Sequence, residues 1–203
     1  MRDNAGMSTA PLSLRDRKKQ RTRRAIADAA LRLFAERGYD AVTVADVAAA
    51  AEVGTRTLHR YYSAKEELLF AEDDELRAEL AELLAARPRD ETVEATLGAV
   101  VGPLTARFAD HLDALRVRDA IIAAHPALRA RDLAKRAAIE ELLAAHLASR
   151  TGGDRRDVGA RLWAKVGLAV FFAGYETWLE RGGDLAARVL EARTALLDGL
   201  AAG

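Results

Sequence analysis

The chain has 203 residues, half of them apolar, with 31 Lys/Arg against 31 Asp/Glu and no cysteine. That is long enough for one large or two small domains with a proper core, and it leaves no disulfide framework, thiolate zinc site or thiol redox sensor. No charge-free apolar run reaches about 18 residues, and the opening stretch MRDNAGMSTAPLSLRDRKKQRTRR has no apolar signal core, so the expectation is a cytoplasmic protein with no membrane span.

The zero net charge conceals an asymmetry. Residues 1–65 hold 13 Lys/Arg and 7 Asp/Glu, net +6, while residues 66–203 hold 18 and 24, net −6. A basic front on an acidic body is the pattern that local phosphate binding produces. The sharpest concentration is Arg15, Arg17, Lys18, Lys19, Arg21, Arg23 and Arg24, opposed only by Asp16. Residues 1–16 read as a flexible basic arm, and the rest enter a first helix. The plainer reading is a solvated helix start. Cations are disfavoured at a helix N-terminus, so phosphate contact by Arg17, Lys18 and Arg21 is expected, with the arm reaching towards a minor groove.

Three helices follow. In the first, about 17–37, Ile26, Ala30, Leu33 and Phe34 fall at i, i+4, i+7 and i+8, and Gly38 ends it in the C′ manner. In the second, Val44, Val47, Ala48 and Ala51 form an apolar stripe. Thr43 stands in the N-cap place with Asp46 three residues on, close to a capping box. In the third, Thr55, Arg56, His59 and Arg60 share one side, with Thr57, Leu58 and Tyr61 on the other. One face packs; the other offers hydroxyl, guanidinium and imidazole groups suited to base edges and phosphate oxygens. Two short helices joined by a tight turn present one rigid rod to a major groove. Three helices of this size share one small core and leave no room for a catalytic cleft.

The stretch from about Arg17 to Leu69, through AALRLFAERGYDAVTVADVAAAAEV and TRTLHRYYSAKEELL, resembles the DNA-binding domain of the TetR/AcrR family of one-component transcriptional regulators. The resemblance implies roles by position. Thr43 holds a phosphate; Thr55, Arg56 and Thr57 meet base edges; His59, Arg60 and Tyr61 contact phosphates or bases further along. Lys65, opening a fourth helix, grips a phosphate together with the helix dipole. Three positions depart from the family pattern. Glu52 replaces a glycine that favours φ > 0, at a strain of about 1 kcal/mol. Gly54 replaces a serine cap, leaving open whether Gly54 or Thr55 caps the third helix. His59 replaces a tyrosine, so its contact is an imidazole sensitive to pH.

The rest reads as helices throughout, giving an all-α fold of about nine helices with a helix-turn-helix domain at 17–63 and a helical effector-binding and dimerisation domain at 64–203. The fourth helix spans about 64–86 with Ser63 as its cap, the fifth 91–109 with a possible disturbance at Gly102-Pro103. The sixth spans 112–124, stopped by His125-Pro126, and the seventh 127–150. Asp154 caps an eighth ending near 181, and Asp184 a ninth ending near 201. The eighth, LWAKVGLAVFFAGYETWL from Leu162 to Leu179, is apolar nearly all round and therefore buried on more than one side. Gly167 and Gly174 thin one face. Leu185, Val189, Leu196 and Leu200 stripe the ninth, with Leu190 and Leu197 beside them. Two such helices from each of two chains make a four-helix, two-fold interface, which the resemblance also implies; the alternative is packing within one chain. Two third helices then read half-sites of a palindromic operator roughly 34–36 Å apart.

The resemblance further implies a small-molecule effector pocket. Phe108, Ile121, Ile122, Trp163, Phe171, Phe172, Tyr175 and Trp178 are the large side chains available to line it, or to pack a core. The segment HPALRARDLAKR, from His125 to Arg136, is similar to a subgroup associated with acyl-CoA-like ligands, whose phosphates Arg129, Arg131, Lys135 or Arg136 would meet; a solvated basic face is the bland alternative. No catalytic residue, metal site or cofactor is expected. The four histidines are scattered without ligand spacing, Glu140 and Glu141 point apart, and no nucleophile elbow or phosphate-binding glycine loop is present. The competing readings are a nonspecific architectural DNA binder, steep in salt dependence but indifferent to sequence, and an all-α enzyme.

Overall fold

The computed structural model describes residues 13–150 and 157–202. Among them every regular element is helical, as the sequence predicts: α1 (Leu14–Arg37), α2 (Val44–Ala50), α3 (Thr55–Tyr61), a 3-10 segment (Lys65–Phe70), α4 (Asp73–Ala85), α5 (Val93–Phe108), a 3-10 turn (Ala109–His111), α6 (Leu112–Ala124), α7 (Pro126–Arg150), α8 (Val158–Arg181) and α9 (Leu185–Ala201). They form two compact units divided between Ala71 and Glu72. Most of the expected arm, residues 1–12, and the expected Asp154 cap lie outside the described residues.

The core of the first unit follows the apolar periodicity. Ile26, Ala30, Leu33 and Phe34 of α1 are buried with Val47 and Ala48 of α2 and Leu58 of α3. Gly38 ends α1 at φ 83°, its N–H donating to the Phe34 carbonyl at 3.0 Å. Glu52 turns the chain between α2 and α3 at φ 53°, the one positive φ outside glycine among the described residues. Gly54 is the N-cap of α3, which starts at Thr55.

The expected fourth helix is two elements. No Gly or Pro interrupts 64–86, so the sequence shows no break. Yet Leu68, Leu69, Phe70 and Ala71 are buried in succession, and a straight α-helix cannot turn four consecutive side chains to one face. The chain runs as 3-10 helix through Phe70 and restarts as α4 at Asp73. Ser63 does not cap a helix with its hydroxyl: its N–H and Oγ both donate to the Glu67 carboxylate, at 2.7 and 2.8 Å.

In the second unit Leu76, Leu80 and Leu84 of α4 join Val100 and Leu104 of α5, Leu143 of α7, and Phe171, Tyr175 and Trp178 of α8 in one core with Leu185 and Val189 of α9. Each such side chain contributes about 1.5–3 kcal/mol on burial. Thr92 caps α5, Asp157 caps α8 and Asp184 caps α9 through side-chain oxygens. Pro103 sits inside α5 without ending it. Pro126 opens α7, where its missing N–H is not needed.

Candidate nucleic-acid interface and effector region

On α3 the split between faces is as its spacing predicts. Thr55, Arg56, His59 and Arg60 are exposed, Thr57 and Tyr61 half-buried and Leu58 buried. The Arg60 guanidinium lies 5.2 Å from the Tyr61 ring centroid. Neither Arg56 nor His59 has a side-chain hydrogen bond or ion pair with another described residue. Arg17, Lys18 and Arg21 are exposed along α1. Arg23, from the same basic run, instead turns inward: its Cζ lies 5.4 Å from the Tyr62 ring centroid, and its carbonyl accepts from the Tyr62 hydroxyl at 3.0 Å.

The start of α2 is a full capping box. The Asp46 N–H donates to Thr43 Oγ1 at 3.1 Å, while the Thr43 N–H and hydroxyl donate to Asp46 Oδ2 at 2.8 and 2.5 Å. The Thr43 hydroxyl and then its N–H hold the Asp46 carboxyl below its usual range. Lys65 is half-buried, its Nζ donating to the carbonyls of Tyr39 at 2.9 Å and Val42 at 3.1 Å and lying 4.2 Å from the Tyr39 ring centroid.

In the body the aromatic side chains gather. Phe108 lies against Phe171 and Tyr175, and Phe172 meets both edge-on. Trp178 is 1% exposed, its Nε1 donating to the Gly183 carbonyl at 3.0 Å. Ile121 and Ile122 are buried. Trp163 stands apart, 43% exposed on the outer side of α8. Against this cluster lies a charged network that sequence reasoning missed. Arg118 reaches Asp119 at 2.8 Å, Asp132 at 3.2 Å and Asp73 at 3.7 Å. Lys135 reaches Asp73 at 3.0 Å; Arg136 donates to Asp132 at 2.7 Å and covers the Phe172 ring at 3.9 Å. Burial raises the Asp119 carboxyl against the opposing pull of Arg118. Burial, then the Asp119 charge and a hydrogen bond to it, raises the Tyr175 hydroxyl. Lys135 and Arg136, candidates for ligand phosphates, are thus held by carboxylates of their own chain. Arg129 is exposed, its guanidinium donating to the Ala123 carbonyl at the end of α6.

The residues expected at a dimer face divide. A Cβ on Gly174 would lie 2.5 Å from Val189 Cα, and one on Gly167 would lie 2.6 Å from a Leu97 methyl, so both glycines make room for neighbours within the chain. Leu185 and Val189 are buried in the same core, and Leu196 is half-buried. Leu200 is exposed, and with it Leu190 and Leu197 of α9 and Leu162 of α8.

Residues 26–71 match the family described as bacterial regulatory proteins, tetR family, and residues 90–201 match the MftR C-terminal domain. Over 189 residues the chain is 31% identical to the putative mycofactocin biosynthesis transcriptional regulator MftR of Mycobacterium tuberculosis (strain ATCC 25618 / H37Rv), covering 92% of this chain and 93% of that protein. It is similar to Thermus thermophilus FadR, a TetR-family transcriptional repressor solved in complex with lauroyl-CoA, at 26% identity and TM-score 0.56, covering 87% of this chain and 94% of that one. The fold is also that of the fatty acid degradation regulator FadR from Bacillus halodurans, at 23% identity and TM-score 0.65, covering 88% and 96% of the two chains. These relatives are regulators rather than enzymes, and with likeness running through both units the chain belongs to the TetR family of one-component, DNA-binding transcriptional regulators.

Proposed function

We propose that the protein is a homodimeric repressor that binds a palindromic operator and is released by a small, largely apolar ligand of acyl-CoA-like type. The observation that carries the DNA half is the outer face of α3, where Arg56 and His59 are exposed with no partner among the described residues. In this reading residues 17–63 form the reading domain behind an arm at 1–16. Thr55, Arg56 and Thr57 meet base edges, and Thr43, His59, Arg60, Tyr61, Arg17, Lys18 and Arg21 contact phosphate or flanking bases. Residues 64–203 bind effector and partner. The exposed leucines of α8 and α9, Leu162, Leu190, Leu197 and Leu200, support a second copy packed on that face.

The ligand half is supported by the aromatic cluster of Phe108, Phe171, Phe172 and Tyr175 and by the lauroyl-CoA held by the Thermus relative. Arg129 is the basic side chain we assign to a ligand phosphate. Ligand then favours a state in which the two α3 helices no longer match the groove, a population shift needing about 1–3 kcal/mol of coupling. The test is a gel shift with a palindrome selected by the protein against its scrambled sequence, then addition of lauroyl-CoA. Equal affinity for both duplexes points to an architectural binder, and a shift untouched by lauroyl-CoA removes the acyl-CoA assignment.

A further inference from the structure

We infer that Lys65 is a positioning residue of the DNA-binding unit: two donors of its ammonium hold the link between α1 and α2 in the shape that presents Thr43. This rests on the reading of that unit as a DNA binder. An ammonium has three donors. Two meet the Tyr39 and Val42 carbonyls at 2.9 and 3.1 Å, and the face of the Tyr39 ring lies against the charge at 4.2 Å.

The two carbonyls are not interchangeable with any other pair. Both belong to the short link between Gly38 and Thr43, outside any helix ladder, where the Tyr39 carbonyl also accepts from the Val42 N–H at 3.4 Å. The Val42 carbonyl and the Thr43 N–H are the two ends of one peptide group. Its oxygen accepts from Lys65, and its N–H donates to Asp46 Oδ2 at 2.8 Å. A cation at one end and a carboxylate at the other polarise the same planar group, so each hydrogen bond strengthens its neighbour. Lys65 and Asp46 are in effect an ion pair with a peptide between them, and that peptide leads into α2. Val42 itself is buried, and Tyr39 packs edge-on against Phe34 with centroids 5.0 Å apart. The link is therefore pinned at its side chains and, through Lys65, at its backbone.

The experiment measures binding of a duplex selected from a random pool by the wild-type chain, as a function of KCl, for Lys65→Met, Asp46→Asn and the double variant. Backbone hydrogen exchange across residues 38–44 is measured on the same full-length proteins without DNA. The expected result is an affinity loss of about tenfold or more for Lys65→Met, the same at every salt concentration, with faster exchange at 38–44. The double variant is expected to lose no more than the worse single one, because both break one chain of bonds. A salt slope shallower by about 0.9, with exchange unchanged, makes Lys65 a phosphate ligand and overturns the proposal. So do unchanged affinity and strictly additive losses. If Lys65→Met does not fold, Lys65→Arg decides: its planar fork keeps the charge but not the compact geometry, so affinity is expected to fall at constant slope, and full retention overturns the proposal. If the wild-type chain selects no DNA, the DNA reading fails by itself; the exchange comparison still decides whether Lys65 holds the link.

Discussion

The protein uses arginine in two opposite ways. On α3, Arg56 and Arg60 stand in water, Arg60 against one tyrosine ring and Arg56 without a partner among the described residues. Between α4, α6 and α7, Arg118 is surrounded by Asp73, Asp119 and Asp132, whose charges outweigh the burial that works to lower its pKa. The first arrangement leaves positive charge available to another molecule; the second neutralises it inside the fold. Composition counts these side chains alike, and only tertiary packing separates a binding face from a structural brace.

The largest effect that tests this contrast comes from the two tryptophans of α8. Trp178→Ala is expected to cost about 3–5 kcal/mol by losing a buried ring and its hydrogen bond to Gly183. Trp163→Ala is expected to stay within about 0.5 kcal/mol for the isolated protomer. Denaturant melts of both variants measure this, and equal losses would break the distinction between inner and outer faces of α8.

The arginines come next. Arg118→Ala removes the cation shared by Asp73, Asp119 and Asp132, leaving Lys135 on Asp73 and Arg136 on Asp132, and is expected to destabilise by about 1–3 kcal/mol. Arg56→Ala is expected to leave stability within about 0.5 kcal/mol while weakening operator binding by about 1–3 kcal/mol. Parallel melts and gel shifts sharpen the contrast, and a destabilised Arg56→Ala would undo it. The glycines of α8 follow. Gly174→Ala drives a Cβ into the Val189 backbone and is expected to cost about 1–3 kcal/mol, with Gly167→Ala costing less because a Leu97 side chain can turn away.

Two smaller effects concern the loops. Glu52→Gly is expected to stabilise the first unit by about 1 kcal/mol, by relieving the positive φ. In the body, the Arg87 guanidinium, against the cost of burial and with help from Thr96, holds the Glu91 carboxyl down to about 2 from 4.5. Because the folded pKa lies below the unfolded one, its stabilisation is present above pH 4.5 and lost as pH falls towards about 2. Thermal midpoints measured over that window should fall less steeply for Glu91→Gln than for the wild-type chain.

The helix-turn-helix was largely legible because its information is local. The stripe through Ile26 and Phe34 and the Thr43–Asp46 box follow from residues a few positions apart, whereas the positive φ at Glu52 is expected from the family resemblance alone, and only the structure decides for Gly54 over Thr55 as the cap of α3. The break before α4 was not legible, since Leu68, Leu69, Phe70 and Ala71 are buried in succession and no Gly or Pro marks the place. Gly167 and Gly174 announce a close approach that the sequence reading assigns to a dimer face, and the structure sets Leu97 and Val189 of the same chain against them. The charged network was invisible because Asp73, Arg118, Asp132 and Lys135 come from three helices and meet only when these pack. A better signal was available at Asp132, a carboxylate within the run that reads as a solvated basic face, yet buried.

The contact between Gly174 and Val189 has one more consequence. Where Gly174 lets the Val189 backbone and its Cγ2 methyl come this close, neither rod can glide along the other without collision. The last two helices therefore travel as a single plank. In the ligand-released reading proposed above, a ligand in the body tilts this plank whole or leaves it still and shifts α4 to α7 against it, which narrows where a release signal is generated.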